Sequence, residues 1–212
     1  MAAALVAAIL ISNNMEKKIK TYVITLSPFF MKGHPKSGKP TRFRCKFLMG
    51  RNFSDACKID CSFDGKENTG RSCSRNAIVE NFKSWNFPKI HTIRTNYDFW
   101  EKRIREVQEG RAILSIRQWS GKPYRSKQVV IANLTKDDGI GIQALKVVRY
   151  IEKTENKEYV ARYIDGEIKD SLTFDEIAQN DGLSLEDWTA RFKGADLTNT
   201  MAIIHFTKFR YE

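Results

Sequence analysis

The segment KIHTIR, residues 89–94, carries the side chains with the clearest chemical potential in this chain. Lys89 lies three positions before Thr92, and Arg94 follows two positions later. A regular strand would point Lys89 and Thr92 to opposite faces, whereas Thr92 and Arg94 would share one face. We therefore expect Lys89 to lie at the end of a loop and to lean over a strand that begins near His91.

The lysine amine and the threonine hydroxyl have a catalytic and a non-catalytic interpretation. A lysine partly removed from water loses proton affinity, so Lys89 would act as a base on Thr92 or on water. An acidic group usually orients such a pair. In the non-catalytic interpretation, Thr92 is only a strand former, Lys89 is a solvated loop charge and Arg94 contacts phosphate.

A second candidate site follows in the segment QWSGKPYRSKQ, residues 118–128. Trp119 and Tyr124 flank a glycine and a proline, and basic residues lie between and after them. Aromatic rings stack on bases and cations contact phosphates, as a nucleotide or single-strand groove requires. The alternative is a turn that Trp119 pins to the core. Together with Arg94, the ligand-binding residues predicted here are Arg117, Trp119, Ser120, Lys122 and Tyr124.

The charge of the chain is consistent with an anionic partner. The 212 residues include 36 Lys and Arg against 25 Asp and Glu, which gives a formal net charge of +11. Cations that contact phosphates release counterions, so RNA, a nucleotide or a nucleoside is the expected ligand class. A basic surface that serves only solubility has the same composition.

The elements that position these residues show a mixed pattern. Residues 96–110 predict the clearest helix, with Asn96 as its N-cap and Gly110 at its end. Thr173 and Ser184 begin two short helices. Strand patterns cover residues 20–26, 111–119, 126–134, 140–152, 158–166 and the C-terminal segment. About six strands with few short helices predict an α+β fold built as a small mixed β-barrel.

Residues 15–212 are interpreted as a single domain that follows an N-terminal extension. Residues 1–14 contain a run of about ten apolar residues, too short to span a bilayer, and the lysines follow this run instead of preceding it. We interpret them as an extension that is disordered or packs locally, and we expect no membrane partner. Residues 50–88 lack a clear period and are interpreted as an insertion, with a short helix at 77–85.

Metal and cofactor signals are weak. Structural zinc sites usually contain close cysteine pairs, and here only residues 57 and 61 approach that spacing. Reduced thiols in a cytoplasmic protein are expected, with zinc or disulfides as the alternatives. His91 and His205 are expected as strand residues that face solvent or a satisfied core. No phosphate-binding glycine loop is present, and we predict no cofactor and no metal. The four cysteines are Cys45, Cys57, Cys61 and Cys73.

The motif Lys-x-x-Thr-x-Arg, taken with two later segments, resembles the ASCH domain family of the PUA-like superfamily. The later segments are AILSIRQWSGKPYRSKQ, residues 112–128, and NDGLSLEDW with MAIIHFTKFRY toward the C terminus. The resemblance covers most of residues 15–212 and is weakest in the insertion. It implies a PUA-like mixed β-barrel of about six strands with short flanking helices, and a ligand cleft between barrel and helices.

One branch of that family comprises amidohydrolases that remove the acetyl group from acetylcytidine with a Lys, Thr and Glu trio. On that pattern Lys89 matches the lysine, Thr92 matches the threonine, and Asp181 lies nearest to the glutamate. Asp181 is one methylene shorter than glutamate, and Asp175 or Glu176 are the alternatives. The resemblance therefore implies either an RNA- or nucleotide-binding protein with a basic cleft, or an amidohydrolase that deacylates a modified nucleoside. The oligomeric state stays open.

Overall fold

A computed structural model describes residues 19–51, 87–152 and 157–212. Nearly all of the predicted insertion, including its helix at 77–85, lies outside the described residues, and so does the N-terminal extension. Cys45 is the one cysteine within the described residues, where it is half-buried.

The described residues form an α+β fold, as predicted, with eight strands instead of about six and with four α-helices. The strands are β1 (Lys20–Thr25), β2 (His91–Arg94), β3 (Ala112–Trp119), β4 (Gln128–Leu134), β5 (Gly141–Glu152), β6 (Lys157–Ile164), β7 (Glu167–Ile168) and β8 (Met201–His205). The helices are α1 (Phe43–Gly50), α2 (Tyr97–Gln108), α3 (Phe174–Asn180) and α4 (Leu185–Arg191), and a 3-10 turn covers Lys136–Asp138.

The strands belong to two sheets. The first sheet has the order β1-β3-β4. Its central strand β3 pairs in parallel with β1 and antiparallel with β4. In the second, of order β2-β8-β5-β6-β7, every neighbouring pair is antiparallel. The two sheets are not hydrogen-bonded into one closed barrel within the described residues, so barrel closure stays a prediction.

A single hydrophobic core lies against both sheets and α2. It includes Ile24 and Leu114 from the first sheet, Ile203 from the second, and Ile104 from α2. All five residues of β8 are buried. This strand lies between β2 and β5, so it is covered on both edges, and its run of apolar residues suits that central position.

Most elements follow the sequence pattern, with two exceptions. α2 begins where the capping pattern predicts, because the Asn96 side chain accepts a hydrogen bond from the Phe99 amide at 3.2 Å. Thr173 and Ser184 cap α3 and α4 in the same way. The sequence analysis missed α1, since Arg42 precedes it without a side-chain cap, and it missed the two-residue strand β7. None of the helices in the described ranges combines the length and apolarity that crossing a bilayer requires.

Candidate functional site around Lys89

The chain is irregular before β2, as the spacing of Lys89 and Thr92 predicts. Lys89 forms an isolated antiparallel bridge with Asp181, and the strand itself begins at His91. The Lys89 amide donates to the Lys46 carbonyl at 2.9 Å. Lys89 is thereby held between α1 and the end of α3, with its side chain outside the regular alternation of β2.

Lys89 and Asp181 form a buried ion pair. The Lys89 ammonium contacts Asp181 Oδ1 and also donates to the Asp181 carbonyl at 2.8 Å. Each side chain is 1% exposed. The Phe43 ring lies beneath the ammonium, with Nζ 4.4 Å from its centroid. The structure thus brings together the lysine and the acid that the family pattern singled out, while a catalytic role for either stays a prediction.

The alternative acids lie elsewhere. Asp175 and Glu176 are both exposed in the first turn of α3. Asp175 accepts a hydrogen bond from the Gln179 side chain at 2.5 Å. Among the described residues, Asp181 is therefore the acid that forms an ion pair with Lys89.

Thr92 and Arg94 share one face of β2. Thr92 is buried opposite Ile204 of β8, and strand alternation places it on the same side as Arg94. The Thr92 hydroxyl makes no hydrogen bond within the part of the chain that the structure describes, so it does not contact Lys89 through one. Arg94 Nη2 donates to the Thr25 carbonyl at the end of β1, at 3.1 Å.

Asp181 and Arg94 each have one buried polar atom without a hydrogen-bond partner among the described residues. These atoms are Asp181 Oδ2, an acceptor, and Arg94 Nε, a donor. A buried polar atom without a partner costs roughly 1 to 3 kcal/mol. Each of the two can therefore gain from a hydrogen bond to a bound molecule.

The electrostatics favour proton release by the lysine. Burial lowers the pKa of Lys89 to about 8, and this effect outweighs the Asp181 carboxylate, which favours the ammonium. The positive charges of Arg191 and Arg94 lower the pKa of Lys89 further. Burial, followed by the charge of Arg191, also lowers the pKa of Arg94 to about 10. Lys89, Arg94 and Arg191 therefore lie close enough to repel one another.

Two further cations of this region were missed in the sequence analysis. Lys46 on α1 donates to the Gly182 carbonyl at 2.6 Å, and burial lowers its pKa to about 8. The guanidinium of Arg191, at the end of α4, lies 5.6 Å from the Phe43 ring centroid. Nothing in the spacing of Lys46 or Arg191 pointed to Lys89, because only the fold brings α1 and α4 to the start of β2.

The aromatic loop after β3 forms a separate feature. Trp119 and Tyr124 pack with ring centroids 5.3 Å apart, and Tyr124 is 90% exposed. The Ser120 amide donates to the Lys127 carbonyl at 2.9 Å, which closes the base of the loop. Lys122 is exposed at the tip. Trp119 is half-buried, which agrees with a turn partly pinned to the protein, while Tyr124 offers a free ring face.

Arg117 lies near the end of β3, shortly before the aromatic loop begins. Its guanidinium donates to the Ser115 hydroxyl at 2.9 Å. Its backbone pairs with Thr25, the residue whose carbonyl accepts from Arg94. β1 thus lies between Arg117 and Arg94. No hydrogen bond, ion pair or ring contact between described residues joins the loop to Lys89 or Asp181.

The two strand histidines face the core, so the solvent-facing alternative was wrong. His91 and His205 are both fully buried, with ring centroids 5.6 Å apart. His91 Nε2 lies 2.9 Å from the Tyr211 hydroxyl, whereas neither ring nitrogen of His205 has a partner among the described residues. This part of the core is therefore only partly satisfied, because the rings of His91, Phe209 and Tyr211 pack around His205 without a hydrogen bond to its nitrogens.

The chain matches no protein-family model, no curated protein and no solved structure. The ASCH resemblance therefore depends on the motifs alone.

Proposed function

We propose that the protein is an ASCH-like, PUA-like β-barrel protein that binds RNA or a nucleotide-type ligand in a basic cleft around Lys89. The observation that carries this proposal is the buried Lys89–Asp181 pair, beside which Asp181 Oδ2 and Arg94 Nε are without partners. The single core shared by both sheets supports the barrel-like fold.

The two polar atoms without partners are of the kinds that pair with the edge of a nucleobase. An exocyclic amine or ring N–H can donate to Asp181 Oδ2, and a base carbonyl can accept from Arg94 Nε. The surrounding cations offset the charge of phosphates. The exposed Tyr124 ring supplies a stacking face on the neighbouring loop.

Binding is tested by fluorescence anisotropy with a labelled single-stranded oligoribonucleotide and with nucleotides as competitors, over a series of salt concentrations. Lys89→Met is expected to weaken binding at least tenfold and to reduce the salt slope by about one unit, since one cation is lost. The matched control is Lys102→Met, at an exposed lysine of α2. Equal affinity of the two variants and the wild type would refute the proposal.

A second candidate function, hydrolysis of an acylated nucleoside amide, is favoured by the contact between Lys89 and Asp181. With a pKa near 8, a fraction of Lys89 is a neutral amine at neutral pH. The amine would take a proton from Thr92 or from water, and the resulting oxygen nucleophile would attack the amide carbonyl. The amine of the base would leave with the proton from Lys89, which releases cytidine. Attack by water gives acetate directly, whereas attack by Thr92 leaves an acetyl ester that a water molecule activated by Lys89 then hydrolyses to acetate.

Incubation with acetylcytidine, followed by chromatography of released cytidine, tests this second function. The wild type and Lys102→Met are expected to release cytidine, with a rate that increases with pH toward a midpoint near 8. Thr92→Val and Lys89→Met are expected to lose release while binding stays measurable. Release that is unchanged in both variants, or absent from the wild type, rejects hydrolysis.

A further inference from the structure

We propose that the cleft binds a phosphomonoester, the terminal phosphate of a mononucleotide, between Lys46 and Arg191. This inference rests on the proposed function, and it names the chemical class of the ligand and two residues that recognise it.

Lys46 and Lys89 both contact the turn that follows α3. Lys46 Nζ donates to the Gly182 carbonyl, and Lys89 Nζ donates to the Asp181 carbonyl. A Cβ atom on Gly182 would lie 3.0 Å from Lys89 Cβ and 3.4 Å from Lys46 Cδ. The two lysine side chains therefore pass the same glycine.

Arg191 approaches Lys89 from α4, on the ring of Phe43. Its guanidinium carbon and Lys89 Nζ lie 5.6 Å and 4.4 Å from the centroid of the Phe43 ring. Phe43 thus links Arg191 to the Lys89–Asp181 pair, and it supplies an apolar surface that weakens screening by water.

The carboxylates of this region are already engaged. Asp181 pairs with Lys89, and Asp187 accepts from Lys36 at 2.8 Å. Neither Lys46 nor Arg191 forms an ion pair with any carboxylate of the described residues. Two cations at partly buried positions therefore have no directly bonded carboxylate, although the charges of Asp187 and Asp181 act on Lys46 from a distance, and an anion can bind both directly.

A phosphomonoester fits these two cations better than other anions do. It carries up to two negative charges near neutral pH, whereas a carboxylate or a phosphodiester carries one. A guanidinium fork binds two phosphate oxygens and an ammonium acts as a point charge on the third, which matches Arg191 and Lys46. Arg94 Nε and Asp181 Oδ2 remain for the nucleoside portion.

Isothermal titration calorimetry with cytidine, cytidine 5′-monophosphate and a short oligoribonucleotide without terminal phosphates tests the inference. The variants are Lys46→Met and Arg191→Met. The controls are Lys193→Met, an exposed lysine two residues after Arg191, and Lys102→Met on α2. A parallel series of thermal melts with inorganic phosphate reports the anion site without any nucleoside.

We expect the monophosphate to bind at least tenfold more tightly than cytidine, and this preference to fall below about threefold in Lys46→Met and in Arg191→Met but not in the controls. If cytidine and its monophosphate bind equally, or if the variants keep the preference, the phosphate inference is wrong while the proposed function stands. Tighter binding of the oligoribonucleotide than of the monophosphate also overturns it.

If none of the three ligands binds, the proposed function fails for these ligands. The thermal melts with inorganic phosphate then test, without any nucleoside, whether the phosphate site exists. A stabilisation by phosphate that both variants lose supports the site, and no stabilisation rejects it.

Discussion

At the scale of single residues, the Lys89–Asp181 pair determines what this region can do. Removing two charges from water is costly, and their mutual attraction offsets that cost only when the geometry is good. Here each side chain is 1% exposed, and the lysine also donates to the Asp181 carbonyl. An apolar pair would pack at lower cost, so stability alone does not account for the two charges.

Asp181→Asn is expected to destabilise the protein by about 3 to 5 kcal/mol, because it leaves the buried Lys89 ammonium without its counter-charge. The free energy of unfolding is measured by urea denaturation. The control is Glu167→Gln, which breaks the ion pair of an exposed glutamate with Lys169 and is expected to change stability by less than about 1 kcal/mol. Similar small losses in both variants would mean that the Lys89–Asp181 pair contributes little to stability.

At the scale of elements, the turn between α3 and α4 brings the two lysines together. Gly182 has φ +77°, a conformation that glycine adopts at little cost. Its missing side chain leaves room for Lys89 and Lys46. The turn therefore depends on glycine for both its backbone and its packing.

Gly182→Ala is expected to lower the free energy of unfolding more than Gly166→Ala does. Both glycines have positive φ, +77° and +87°, but a Cβ at Gly166 meets no atom within 4 Å. The Gly166 variant thus measures the backbone strain, of order 1 kcal/mol, and the difference between variants measures the contact with Lys89. Equal losses in urea denaturation would show that the lysine side chains move aside without cost.

The sequence predicted most elements because their signals are local. The capped start of α2 at Asn96 and the alternating strands need only neighbouring residues. The irregular backbone at Lys89 followed from the spacing to Thr92, and Asp181 came only from the family pattern. α1 lacks a capping side chain at Arg42, so no local signal marks its start.

The cations around the pair were beyond sequence reasoning for a different reason. Lys46 and Arg191 reach Lys89 through the tertiary packing of α1 and α4, and a single sequence does not encode that proximity in any local pattern.

At the scale of the whole molecule, the core contains two neutral histidines that make the protein sensitive to acid. Burial lowers the pKa of His205 from 6.5 to about 2, and burial with the charge of Lys89 lowers that of His91 well below 6.5. The unfolded chain takes up protons on both imidazoles as the pH falls through 6.5, and the folded chain does not. Stability is therefore full above that value and is lost as the pH falls below it.

Between about pH 7 and pH 5, each histidine is expected to reduce the free energy of unfolding by about 2 kcal/mol. Urea denaturation at the two values measures the change, in a range above the titration of most carboxylates. His205→Leu removes one titrating group, so its loss of stability over the same range should be about half that of the wild type. An identical loss in variant and wild type would contradict the assignment of the acid sensitivity to His205.

The central claim is that Lys89 and Asp181 form a ligand site as well as a structural contact. The most direct test is the binding of nucleotides and oligoribonucleotide to the double variant Lys89→Met with Asp181→Leu, which replaces the ion pair by apolar side chains and leaves neither partner of the pair as an unpaired charge. The account predicts a folded protein, with thermal stability close to the wild type, that has lost at least a factor of ten in affinity. A folded double variant that binds these ligands as tightly as the wild type would contradict it.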